Sequence, residues 1–100
     1  MTNMVKTVYV TRHCMKRVVE RASIIGKGNI LRFLEKILDE GYIVDNRNKN
    51  LLIKLGENYL VLRRWNENFL AITYTRNVVP RGFDVKRVLG KISGYKLKIL

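Results

Sequence analysis

The sequence predicts an α+β domain: a short N-terminal strand, two helices packed on one face of an antiparallel four-stranded meander, and a basic C-terminal extension. Three observations lead there. Apolar residues recur at helical spacing up to Gly41 and alternate beyond it. The alternating runs are short and separated by Asn, Gly and charged clusters that suit tight hairpins. Each helix also carries one apolar face, which a sheet must cover. One hundred residues support a single core, expected over residues 1–76, with the extension at 77–100 packed in part against it.

Lys6 to Val10 mixes β-branched and aromatic types and reads as the opening strand, with Thr11 placed to cap the following helix. In that helix Cys14, Met15, Val18, Val19 and Ala22 fall on one side, and His13, Lys16, Arg17, Glu20 and Arg21 on the other. Gly26-Lys27-Gly28 closes it as a basic connection. Asn29 is the expected cap of a second helix, Ile30 to Glu40, whose Ile30, Phe33, Leu34, Ile37 and Leu38 keep helical spacing, with Gly41 at the C′ position. Strands are expected at Tyr42 to Val44, Leu51 to Leu55, Tyr59 to Trp65 and Phe69 to Thr75. Beyond Pro80, Asp84 to Leu89 is compatible with a helical turn, and Tyr95 to Leu100 with a strand or a basic tail.

Twenty Lys and Arg stand against eight Asp and Glu, a formal net charge of +12. Such a balance points to a polyanionic partner, nucleic acid first and an anionic membrane surface second. With 47% hydrophobic residues and one proline, the chain is expected to fold rather than serve as a disordered basic tail. Its apolar runs are far too short to span a bilayer. The N-terminus lacks the basic and then apolar pattern of a secretory signal, and Cys14 alone cannot form an internal disulfide. A cytoplasmic setting is therefore expected, with Cys14 as a small core residue.

Two surfaces are candidates for contact with phosphate. On the first helix, His13, Arg17 and Arg21 form a stripe flanked by Arg12 and Lys16. Arginines clamp phosphodiesters bidentately, and histidine is the side-chain type that titrates near neutral pH. The plainer reading is a solvated face in which Glu20 pairs with Lys16 or Arg17. In the meander, alternation separates Arg63 and Trp65 from Leu60, Leu62 and Arg64. With Leu60, Leu62, Leu70 and Ile72 toward the helices, Arg63 and Trp65 share the open face with Thr73 and Thr75, where an aromatic beside an arginine can stack a base and hold its phosphate. Ordinary cross-strand packing with a snorkelling arginine is the alternative. Residues 76–100 add Arg76, Arg81, Lys86, Arg87, Lys91, Lys96 and Lys98 against Asp84, half of the net charge.

Other chemistries lack their residues. One cysteine and one histidine do not make a zinc site, a single histidine excludes two-histidine ribonuclease chemistry, and no carboxylate cluster suits a pair of catalytic metals. Gly26-Lys27-Gly28 is not a P-loop. No metal and no cofactor are expected.

The order of parts, a short strand, a helix opening with His13-x3-Arg17-x3-Arg21, a second helix ending in Glu40-Gly41 and a meander closing on Leu70-Ala71-Ile72-Thr73-Tyr74, resembles the small BrnT-type and related phage proteins of the barnase–EndoU–colicin–RelE ribonuclease-toxin fold. The likeness covers about residues 7–76. It implies metal-independent RNA cleavage, restraint by a cognate antitoxin, and a cleavage centre drawn from His13, Arg63 or Arg64, Tyr74 and Arg76, with Arg17 and Arg21 beside them. The chain departs from that pattern in its basic residues past the meander and in Cys14, where alanine often follows the histidine.

The resulting expectation is a nucleic-acid-binding protein, RNA preferred over DNA, with a metal-independent endoribonuclease as its sharper form. There, Arg17 and Arg63 or Arg64 hold the phosphate, His13 or Tyr74 assists proton transfer, and the RNA 2′-hydroxyl attacks. A non-enzymatic DNA- or RNA-binding accessory protein of a virus or mobile element is the alternative, and a protein–protein interaction module the third. The oligomeric state is open, a homodimer included.

Overall fold

The computed structural model describes residues 5–100. Its elements are β1 (Lys6–Val10), α1 (Arg12–Ala22), α2 (Lys27–Glu40), β2 (Tyr42–Arg47), β3 (Asn50–Leu55), β4 (Asn58–Trp65), β5 (Asn68–Arg76) and β6 (Tyr95–Ile99). All six strands form one mixed sheet in the order β2-β3-β4-β5-β1-β6. β2 to β5 pair antiparallel, whereas β1 lies parallel between β5 and β6. The fold is thus α+β, but the expected four-stranded antiparallel meander is only part of its sheet. The hairpins announce themselves through local turns, with Asn48, Gly56 and Asn66 all at positive φ. The two parallel pairings join segments about 60 and 90 residues apart, with no turn to signal them.

Local chemistry fixes the helices. Thr11 caps α1 by accepting from the Cys14 N–H (3.1 Å) and ties it to β5 by donating to the Ala71 carbonyl (3.0 Å). Ser23, in the left-handed region at φ 57°, ends the helix. α2 starts at Lys27, earlier than expected, after Gly26 at φ 95°, a backbone setting that favours glycine. Asn29 therefore lies inside the first turn and donates to the Ile25 carbonyl (2.9 Å) rather than capping. Gly41 is not left-handed. A Cβ there would stand 2.4 Å from the Ile37 carbonyl and 2.8 Å from that of Lys54, so glycine lets α2 run straight into the sheet.

The helices cover one face of the sheet. Cys14 and Val18 of α1 and Ile30, Leu34, Ile37 and Leu38 of α2 pack on Val8, Val10, Leu51, Ile53, Leu60, Leu62, Phe69, Ala71 and Tyr74. A bulge alters the face expected of β5. The β4–β5 register shifts between Val61 and Leu62, so Phe69, Ala71 and Tyr74 turn to the helices while Ile72 joins the opposite face.

Residues 77–94 form a belt. Phe83 packs with Val44, Leu52, Tyr59, Val61 and Ile72 on the face opposite the helices. The Asp84 N–H donates to Asp45 Oδ2 (2.8 Å), and Arg47 pairs with both carboxylates. At the β2 edge the Leu89 N–H donates to the Ile43 carbonyl and the Ile43 N–H to that of Gly90, each at 2.7 Å. The chain then crosses to the helical side, where Ile92 joins the main core and the Tyr95 hydroxyl donates to Asp39 Oδ1 (2.6 Å). Asp84 to Leu89 is not helical, and Tyr95 to Ile99 is a strand of the sheet. Among the described residues no helix is long and apolar enough to cross a membrane.

Candidate nucleic-acid interface

The belt leaves one end of the open face bare. There the register aligns Asn50 with Arg63, Arg63 with Leu70, Leu70 with Tyr9 and Tyr9 with Lys98, a single row across β3, β4, β5, β1 and β6. Its four interstrand steps span roughly 19 Å. Beside the row, Trp65 is 44% exposed and meets Tyr9 edge to face, with ring centroids 5.6 Å apart and planes at 81°. Lys96 lies next to Thr7 on the adjoining row. Lys49, Arg63, Arg64, Trp65, Asn66 and Leu70 line a concavity of about 650 Å³ with no carboxylate among them. Asn50 Oδ1, at the head of the row, is buried without a hydrogen-bond partner.

The row and Trp65 beside it join three kinds of group that can serve single-stranded nucleic acid: an exposed and a half-buried aromatic ring, cations on either side of them, and an apolar residue, Leu70, between. Arg63 and Lys98 bracket the aromatic pair on the sheet, one on β4 and one on β6. None of Arg63, Lys49, Lys96 or Lys98 is drawn off by an ion pair among the described residues.

The remaining site residues disperse. Arg12, His13 and Lys16 are exposed on α1, and Arg17 is paired with Glu20 at 2.6 Å. That contact holds the Glu20 carboxyl below its ordinary value. Arg21 donates through Nη1 to the Tyr74 carbonyl (2.8 Å) and lines a second concavity with Arg76 and Arg81. Arg64 reaches Asn46 Oδ1 (3.3 Å) and the Asn48 carbonyl (3.4 Å), bracing the β2–β3 turn. Lys86 and Arg87 sit on the belt beside Tyr42 and Val44 of β2, away from the aromatic pair.

Tyr74 is fully buried. Its hydroxyl donates to Asn58 Oδ1 and its ring meets Phe33 edge to face. Burial is the leading cause that raises its pKa, against Arg76 and Arg21, which lower it. His13 stands eight residues, about 12 Å of helix, from the arginine that touches the Tyr74 carbonyl. Cys14 is buried, which pushes its thiol up to about 12 and leaves it inert as a nucleophile. Among the described residues no cluster of His, Cys, Asp or Glu could hold a metal.

Tyr9, Leu70, Lys96 and Lys98 were not among the expected site residues. Alternation in Lys6–Val10 sets Tyr9 opposite Val8 and Val10, and alternation in Tyr95–Ile99 sets the lysines apart from Leu97. What the sequence did not signal is that both strands join the sheet side by side. No family model, curated protein or solved structure matches the chain.

Proposed function

We propose that the chain binds single-stranded nucleic acid, RNA preferred over DNA, across the bare end of the open sheet face. The observation that carries this reading is the row Arg63–Leu70–Tyr9–Lys98 with Trp65 seated against Tyr9. Bases stack on the exposed aromatics while Arg63 and Lys98 hold the flanking phosphates, and Lys49 and Lys96 widen the cationic margin. A flat sheet face suits splayed single strands, whereas the major groove of B-DNA admits a helix or a two-stranded ribbon. The metal-independent cleavage form of this proposal receives less support from the geometry: the Tyr74 hydroxyl is engaged with Asn58 beneath the helices, and His13 lies on α1 away from it.

Titration of fluorescently labelled single-stranded RNA, with DNA of the same sequence and a duplex in parallel, tests the reading. Tightest binding to single-stranded RNA, with affinity falling as salt rises, is expected. Salt-independent affinity, or no binding at low salt, overturns it. The same mixtures incubated in EDTA separate binder from nuclease. RNA that stays intact at high protein concentration removes the cleavage form, and cleavage lost in His13→Ala restores it.

A further inference from the structure

The second basic concavity lies off the sheet face and plays no part in the row of aromatics. Arg21 from the last turn of α1, Arg76 from the end of β5 and Arg81 from the belt all line a space of about 300 Å³, walled on its apolar side by Val78, Val79 and Pro80. No carboxylate lines it. Among the described residues the ion pairs are Arg17–Glu20, Arg47–Asp45 and Arg47–Asp84, and the three arginines take part in none.

Their convergence is built in. The Arg21 guanidinium is held by the Tyr74 carbonyl through Nη1 (2.8 Å), which leaves its other donors for a ligand. The turn joining Arg76 to Arg81 is fixed by Thr75 Oγ1 donating to the Val78 carbonyl (2.7 Å) and by the Asn77 N–H donating to that of Glu57 (2.8 Å). Asn77 takes the left-handed setting, φ 66°, that this turn requires. Three like charges gathered without a counter-charge repel one another, so a bound anion relieves a standing electrostatic cost.

We propose that this cleft holds a phosphate monoester. A monoester carries a charge of about −1.5 to −2 near neutral pH and three acceptor oxygens, which suits three guanidiniums better than the single charge of an internal phosphodiester does. The cleft lies at the far end of β5 from the row, with Arg76 six residues and roughly 20 Å of strand from Leu70, so a strand a few nucleotides long that is bound on the row reaches it with its phosphorylated end; that identification of the source rests on the preceding proposal, while the monoester chemistry does not.

Calorimetric titration of the full chain with one short single-stranded RNA carrying a 5′-phosphate, a 3′-phosphate or only hydroxyl ends, and with inorganic phosphate, tests both parts. We expect at least one phosphorylated form to bind about tenfold tighter than the hydroxyl form. The gain should vanish in Arg81→Ala and in Arg76→Ala while affinity for hydroxyl-ended RNA stays within about twofold. Arg81→Lys, which keeps the charge but loses the bidentate fork, should keep only part of the gain. Equal binding of all RNA forms together with no binding of inorganic phosphate overturns the monoester site and leaves RNA binding standing. Inorganic phosphate bound in an Arg81-dependent way, with no RNA bound, supports the site and overturns the strand-binding face.

Discussion

Where the belt crosses the face opposite the helices, Phe83 lies on Val44, Leu52, Tyr59 and Val61, and those side chains are buried. At the other end of the same face, Trp65, Tyr9 and Leu70 have no such cover and are ringed by Arg63, Lys96 and Lys98. The strands run through both regions, so β-propensity does not separate them. Residue type does. The covered end offers Val, Leu and Tyr to a phenylalanine from the same chain. The bare end replaces aliphatic side chains with amphipathic rings and long cations, groups that tolerate water and also grip a partner. An uncovered apolar surface rimmed by charge marks an interaction site more often than a defect in packing.

This contrast is broken most sharply at Trp65. Trp65→Ala should weaken single-stranded RNA binding roughly ten- to a hundredfold, the loss of one stacking platform, and cost only about 1 kcal/mol of stability through its edge contact with Tyr9. Phe83→Ala should do the reverse, costing about 2 kcal/mol of stability in a denaturant titration, below the usual ~3–5 for a fully buried Phe because Phe83 is only half-buried. Its RNA affinity should stay within about twofold. If both variants lose affinity and stability together, the two ends form a single unit and the contrast fails.

Tyr74→Phe sharpens the same division from beneath the sheet. Removing the hydroxyl leaves Asn58 Oδ1 without its donor, at about 1 kcal/mol in stability, with RNA affinity unaltered. A Tyr74 acting in cleavage would show the opposite split, activity lost at unchanged stability.

The smallest effect concerns the anchor of the belt. The Asp84 backbone N–H, aided by the Arg47 guanidinium, holds the Asp45 carboxyl below its ordinary value. A lowered folded-state pKa contributes stability that is present above the unfolded value, about 3.9 for Asp, and is lost as pH falls through the folded value. The Asp45 side-chain carboxyl resonance should therefore titrate with a midpoint below about 3.9, and Arg47→Ala should raise that midpoint. A midpoint at or above 3.9 counts against the anchor.

Much of the architecture was legible because its causes are local. The apolar side of α1, the cap at Thr11, the spacing of Ile30 to Leu38 and the hairpins from Tyr42 to Thr75 each rest on residues a few positions apart. Arg63 and Trp65 were readable as open-face residues for the same reason. The facing of Leu70 and Ile72 was not. Phe69-Leu70-Ala71-Ile72 is apolar at every position, so the run fits either side, and the bulge that turns Tyr74 toward the helices leaves no trace in the spacing. β1 and β6 show a second limit. Their alternation sorts Tyr9 from Val8 and Lys98 from Leu97, but the row through Arg63 exists only once three strands distant in sequence lie side by side. The arginine cleft, likewise, depends on a turn that brings Arg81 back toward Arg21.

The placement of β1 also sets a timetable. β1 is the earliest of the described strands in the chain, yet it pairs on one side with β5 and on the other with β6, the latest. Once β5 has docked, its outer edge still waits for residues 95–99, which arrive only after the belt has passed round the β2 edge. Until they pair, a partly folded chain displays an unpaired parallel edge, the kind of surface on which another strand can dock wrongly. Fraying or removal of residues 95–99 would reopen that edge, so the hold of β6 on β1 sets how well the native sheet resists edge-to-edge association.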